Sequence, residues 1–280
     1  MNQMPMTPEQ IQAVLAKRKA RLAKKLMTTS TMYNGDCLEV MKELKELKDN
    51  SVDLLFCDLP YGQTSCKWDS LIDLDIFWKQ VNRVCKIDCP MFFTCSTKFG
   101  VSLINSNPKN FRYDLVWVKS APCGFLNAKK MPMKKHEMVY VFYRKLPMYD
   151  LSGHQHKFLR CEKNGQGRSQ ISREMKAGVN NLYGDMKGGT IGNIHGTNYD
   201  PPLPHSLLEI KSEKGKHATQ KPTELIKWCL KYYSKEGDTV LDPTMGSGST
   251  GVACKEMNRN FIGIELDEKI YSVAEKRLTK

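Results

Sequence analysis

Gly237-Asp238-Thr239-Val240-Leu241-Asp242-Pro243-Thr244-Met245-Gly246-Ser247-Gly248-Ser249-Thr250 is the stretch on which the fold turns. Its short apolar run predicts a strand over 239–241, its glycines a tight turn, and the residues from about 249 to 257 a helix. A second strand, Phe261-Ile262-Gly263-Ile264-Glu265, ends on a carboxylate. Strand, glycine turn, helix, strand and acid together read as a nucleoside-binding unit. Glycines let a ligand approach the backbone, the helix N-terminus offers free N–H groups, and the acid suits two ribose hydroxyls. The third glycine of a dinucleotide fingerprint is missing, because Gly251 has the wrong spacing, and no Walker lysine follows Gly248. That disfavours NAD and ATP and leaves room for a cationic sulfonium ligand beside Asp242. The plain alternative for Asp242 is a turn cap.

Upstream the same alternation continues. Thr31-Met32-Tyr33 predicts a strand that runs into Asn34-Gly35-Asp36, with a helix over about 38–47. Val52 to Cys57 predicts a buried strand that ends in Asp58-Leu59-Pro60-Tyr61-Gly62. Further strands are expected at 91–95, 113–118 and 138–143, and helices at 76–84, 224–234 and 268–278. Strands alternating with helices predict an α/β sheet. Residues 150–216 break the pattern with scattered basic residues and Gly165-Gln166-Gly167 and Gly188-Gly189, so they read as an inserted lobe, in part disordered. Residues 7–27 predict a basic amphipathic helix, either a solvated face or a phosphate-contacting arm.

Asp58-Leu59-Pro60-Tyr61 carries chemistry. A carboxylate, together with the carbonyl of the residue before a proline, can accept both hydrogens of an exocyclic amine. Tyr61 offers a flat face for an extruded base. An aromatic amine is a poor nucleophile because its lone pair is delocalised into the ring. Acceptors that draw it toward tetrahedral geometry act mainly on the transition state. Standing alone, the tetrapeptide also reads as an ordinary strand-ending turn.

The chain has 280 residues, 40% of them hydrophobic and 26% charged, enough for one large domain with an insert or two small ones. A formal net charge of +13 points to a polyanionic partner, or more plainly to a basic proteome. None of the 10 cysteines is spaced C-x-x-C, and several lie in apolar runs, which fits reduced cysteine in the cytoplasm. No signal-peptide core or membrane span is expected. His136-Glu137 and the pair His154 and His156 lack further ligands, so no metal is expected. Pro122-Cys123, the pair that cytosine C5 chemistry would need, reads as part of a loop.

Taken together, Asp58-Leu59-Pro60-Tyr61-Gly62, then Thr219-Gln220-Lys221-Pro222, then Leu241 to Gly248 resemble the β group of S-adenosylmethionine-dependent DNA amino-methyltransferases. Nearly all of 31–280 fits. The resemblance implies a Rossmann-like methyltransferase fold, with a mostly parallel seven-stranded sheet, one antiparallel strand and an inserted target-recognition lobe. With the basic N-terminal helix (1–30) outside the pattern, it divides the rest into a catalytic half (31–149), a target-recognition region (150–216) and a cofactor-binding half (217–280). It implies S-adenosylmethionine as methyl donor, and assigns the target base to Asp58, Leu59, Pro60 and Tyr61. For the cofactor it implies Asp36, Asp58, His217, Lys221 and Pro222 on one side. On the other it implies Asp242, Pro243, Thr244, Gly246 and Gly248, with Ser249, Thr250, Glu265 and Asp267. Most members have Pro where this chain has Leu59; the backbone contact survives that change, with a looser loop. A leading Asp resembles the adenine-N6 enzymes, whereas cytosine-N4 enzymes usually carry Ser. The implied partners are double-stranded DNA, a second copy in a homodimer, and a cognate restriction nuclease, in the cytoplasm of a bacterial or phage-infected cell. Cytosine-N4 transfer, an RNA amine methyltransferase, and a non-catalytic DNA-binding protein that keeps the fold are the competing readings.

Overall fold

A computed structural model describes residues 28–44, 47–62, 71–156, 199–213 and 220–279. The predicted helix over 7–27 and most of the 150–216 lobe lie outside the described residues. The strands are β1 (Ser30–Asn34), β2 (Leu54–Cys57), β3 (Met91–Cys95), β4 (Phe111–Cys123), β5 (Lys134–Phe142), β6 (Gln155–His156), β7 (Tyr199–Asp200), β8 (Leu207–Glu209), β9 (Thr239–Asp242) and β10 (Asn260–Glu265). The helices are α1 (Cys37–Glu43), α2 (Leu74–Val84), α3 (Thr97–Ser106), α4 (Thr223–Tyr233), α5 (Ser249–Glu256) and α6 (Glu268–Leu278). None of these is long and apolar enough to cross a membrane.

The main sheet has the order β1-β10-β9-β2-β3-β5-β4-β8. Every neighbouring pair is parallel except that β5 runs antiparallel to both β3 and β4. The eighth strand, β8, adds three residues to the outer edge of β4, too few to leave a periodic signal. β4 and β5 both extend past their predicted limits because they continue as a hairpin, with Val118 opposite His136 and Cys123 opposite Lys134. Helix α3 is not announced by the sequence pattern; Ser96 caps it by accepting from the Phe99 N–H at 3.4 Å.

All residues of β2 and β3 are buried, as apolar strands covered on both faces should be. Alternate side chains go to opposite layers. Leu55, Cys57, Met91 and Phe93 join Phe77, Trp78, Val81 and Leu103 on one face. Leu54, Phe56 and Phe92 join Leu225, Ile226, Cys229 and Ala253 on the other. The chain divides into two compact units, Met1–Tyr149 with Ser206–Lys280, and Asp150–His205. The described part of the second is the β6–β7 ribbon, where His154 Nδ1 lies 2.9 Å from the Pro201 carbonyl.

In the middle of α3 sits Gly100, where an added Cβ would stand 2.1 Å from the Tyr140 ring. Tyr140 is buried, so it has little room to give. In a helix interior, alanine gains about 1 kcal/mol over glycine, but overpacking costs about 1–3 kcal/mol. Gly100→Ala is therefore expected to destabilise by up to about 2 kcal/mol in urea unfolding. In a Tyr140→Ala background the sign should reverse, because only the propensity gain remains.

The sheet order reverses between β2 and β9. β3 and β5 follow on one side of that junction, β10 and β1 on the other. Open α/β sheets bind ligands at the carboxyl ends of their strands at such a point. Asp58 follows β2 there, and Asp242 ends β9 beside it.

Candidate active site

A cavity of about 710 Å³ opens at this junction, a size usual for small-molecule sites. On one side it is bordered by Asp58, Leu59, Pro60 and Tyr61, and on the other by Asp242, Pro243, Thr244 and Gly246. Asp36, Lys221, Ser249, Thr250 and Glu265 also face it. Pro222, Gly248 and Asp267 do not: each is the N-cap of a helix, α4, α5 and α6 respectively. His217 lies outside the described residues.

The β9–α5 turn explains its two glycines differently. Gly246 has φ +53° and open space where a Cβ would stand, so backbone conformation and ligand access both favour glycine there. Gly248, at φ +79°, would drive a Cβ to 3.1 Å from Ala274, so close helix packing is an added demand. Asp242 accepts from the Thr244 N–H at 3.2 Å and from the Thr250 hydroxyl at 2.5 Å. The turn-cap reading of Asp242 therefore holds, and the residue also borders the cavity. Glu265 accepts from the Gly246 and Asp267 N–H groups, each at 2.9 Å. Asp36 accepts from Leu38 N–H at 2.8 Å and caps α1.

Asp242 and Glu265 are 4% and 8% exposed. Among the described residues neither has a salt-bridge partner. Burial pushes the Asp242 carboxyl up to about 7, and raises that of Glu265. Two buried carboxylates without a cation suit a ligand that brings positive charge and hydroxyl donors, and the residues present thus fit S-adenosylmethionine.

At the other side, the Asp58 carboxylate is the hub. Its Oδ1 accepts from the Tyr61 and Thr94 hydroxyls, both at 2.7 Å, and Oδ2 lies 2.5 Å from the Lys221 ammonium. A carboxylate offers about four lone-pair sites, so among the described residues one is left for a further hydrogen. Thr244 Oγ1 donates to the Asp58 backbone carbonyl at 3.1 Å, linking the two loops. The Tyr61 ring lies 5.4 Å from that of Phe99, and burial holds its phenol protonated, with Asp58 adding to the effect. Leu59 is 2% exposed within the core.

Lys221, expected beside the cofactor, lies on this hub. Its Nζ also sits 3.2 Å from Glu137 Oε1, while Lys119 Nζ sits 2.7 Å from Glu137 Oε2. Burial opposes ionisation of Glu137, but Lys221 and Lys119 outweigh it and hold the carboxyl below its usual range. Burial likewise opposes the Lys221 charge, and Asp58 and Glu137 more than offset it. The ion pairs link Asp58, Lys221, Glu137 and Lys119 into one row. Glu137, Lys119 and Thr94 were not foreseen as site residues. A signal existed for Glu137, which shares a strand face with the core residues Val139 and Val141 and pairs across to Trp117.

Comparison with known proteins shows the family of the chain. A family profile described as DNA methylase, of the N6/N4 type, matches residues 52–276. The type II methyltransferase M.HinfI of Haemophilus influenzae is 28% identical over 278 residues, covering 89% of this chain and 68% of that one. The DNA adenine methyltransferase YhdJ of Escherichia coli K12 is 30% identical over 258 residues, covering 89% of this chain and 82% of that one. The crystal structure of the M1.HpyAVI–SAM complex superposes with a TM-score of 0.60 at 23% identity, covering 89% of this chain and all of that one, a likeness of fold.

Proposed function

Because this chain belongs to the DNA methylase family, whose members are S-adenosylmethionine-dependent DNA methyltransferases, we propose that its target is the N6 amine of adenine in a specific duplex sequence, reached by extruding the base. The observation that carries the reading is the Asp58 hub, with its single remaining acceptor site beside the Tyr61 ring. Asp58 accepts one amine hydrogen and the Leu59 carbonyl the other, while Tyr61 stacks on the base. The bound cofactor supplies the methyl group. Glu265 takes ribose hydroxyls, Asp36 lies toward the adenine ring, and Asp242 faces the positively charged end. An aspartate at position 58 favours adenine over cytosine N4. The homodimer, the partner nuclease and the cytoplasmic location belong to the same proposal.

The test replaces every adenine in the DNA by hypoxanthine, which has no 6-amino group. Methyl transfer should cease, and persistent transfer would overturn the adenine reading.

The Asp242 carboxyl gives a pH prediction. Its folded value is raised, so its ionised form is disfavoured below about 7 and its contribution to stability is lost as the pH rises through that value. A cationic ligand favours the ionised form. Ionisation one pH unit either side of the midpoint is ~90% or ~10%, so cofactor affinity should weaken up to tenfold from pH 8 to pH 6. Calorimetric titration should show that slope, and Asp242→Asn should bind weakly at every pH with the slope flattened.

A further inference from the structure

The β4–β5 hairpin carries a tip that the cavity does not use. Residues 124–133 connect the strands through a short 3₁₀ turn, Phe125–Asn127. The tip is held by its own backbone: Ala128 N–H donates to the Phe125 carbonyl at 3.0 Å, and Lys130 N–H to the Asn127 carbonyl at 2.8 Å. It is an ordered turn, and it exposes large apolar side chains. Phe125 is 76% exposed and Leu126 is 82% exposed, with Met131 at 58% and Met133 at 44%. Such a cluster left in water marks an interaction surface.

The charge around it chooses the partner. Lys129 and Lys130 sit on the turn, and Lys134 and Lys135 begin β5, all exposed. From Ser120 to His136 the chain has no acidic residue. The base of the hairpin reaches the active-site cavity, which Pro122, Cys123, Lys134 and His136 border. Apolar side chains ringed by lysines, at the mouth of a site built for a base, match the pattern of proteins that wedge apolar groups between base pairs while cations hold the phosphates.

We propose that the hairpin tip is a DNA-contacting wedge: Phe125 and Leu126 press into the duplex beside the target nucleotide, and Lys129 and Lys130 hold the flanking phosphates. The proposal rests on the reading that the target base leaves the helix to enter the cavity. An apolar wedge that fills the space beside the extruded base lowers the cost of keeping it out. Cofactor binding does not involve the tip.

The test is the full-length double variant F125S/L126S, assayed for binding and methylation of duplex DNA. kcat/KM for DNA is expected to fall about tenfold or more, with cofactor affinity and melting temperature unchanged. A duplex with a mismatch at the target base, where opening costs less, should restore most of the loss. Lys129→Gln with Lys130→Gln should lower the slope of log affinity against log salt by about 2, near 0.9 per lost phosphate contact. Unchanged DNA binding and kcat/KM in F125S/L126S overturns the proposal, as does a loss that a mismatch leaves untouched. A shift in oligomeric mass with DNA binding intact also overturns it, and assigns the tip to a second copy of the chain. Wild-type protein is run alongside. If it binds and methylates DNA while the variants match it, the wedge alone falls; if it does neither, the methylase reading falls with it.

Discussion

Asp58→Ala is expected to lower methyl transfer by about 10³-fold while cofactor affinity stays within about threefold of wild type, since groups aimed at transition-state charge are each worth about 10²–10³ in rate. The carboxylate is the only described side chain that combines an open acceptor site with a fixed position beside the Tyr61 ring. Two hydroxyls and an ammonium hold it, so it needs no reorganisation when an amine arrives. Removing it leaves the Leu59 carbonyl to take one amine hydrogen, and the lone pair stays largely in the ring. The fold should survive, because Lys221 keeps Glu137 as a counter-charge. Single-turnover transfer from labelled cofactor measures the rate, and calorimetry the binding. Activity within tenfold of wild type would remove Asp58 from the proposed role.

Lys221→Met is expected to do more damage to the fold than any other single change at the site. The ammonium is buried between two carboxylates, and methionine would leave Asp58 and Glu137 facing one another with Lys119 the remaining paired cation among the described residues. Breaking a buried pair by removing one partner costs about 3–5 kcal/mol. The 28% exposure of the Asp58 side chain and the remaining Lys119 place the expected loss at the lower end, about 3 kcal/mol at neutral pH. The pH dependence identifies the cause. Glu137 is held below its usual range, so its contribution to stability is full above that range and lost as the pH falls through its folded value. Lys221 is held above 10.5, so it contributes fully across neutral and acid pH. The difference between wild type and variant in denaturant titrations should therefore be largest near pH 7 and shrink toward pH 4, as the stranded Glu137 carboxylate takes up a proton. A pH-independent loss would mean that packing, and not charge, is what Lys221 contributes.

The fold was legible in the sequence because its strands carry their own evidence. Met91–Cys95 and Glu268–Leu278 appear where apolar run and helical period place them, and the strand–turn–helix of 239–256 follows its glycines. Misses trace to signals that a local window does not contain. Helix α3 has a glycine at its centre that only makes sense against Tyr140, a residue 40 positions away. Strand β8 exists because β4 has a free edge. In the site, the motif residues were readable as motifs, but their partners were not. Lys221 reaches Asp58 across 163 residues, and Glu137 enters only because β4 and β5 set it opposite Trp117. Gly248 shows the converse: a glycine read as ligand-facing packs against helix α6.

Transfer of the methyl group to N6 of adenine is open to direct measurement. Duplex DNA is incubated with the protein and methyl-labelled S-adenosylmethionine, digested to nucleosides and separated. All label is expected on N6-methyladenine, and none on any nucleoside after Asp58→Ala. Label on 5-methylcytosine or N4-methylcytosine, or no label in DNA at all, would contradict it.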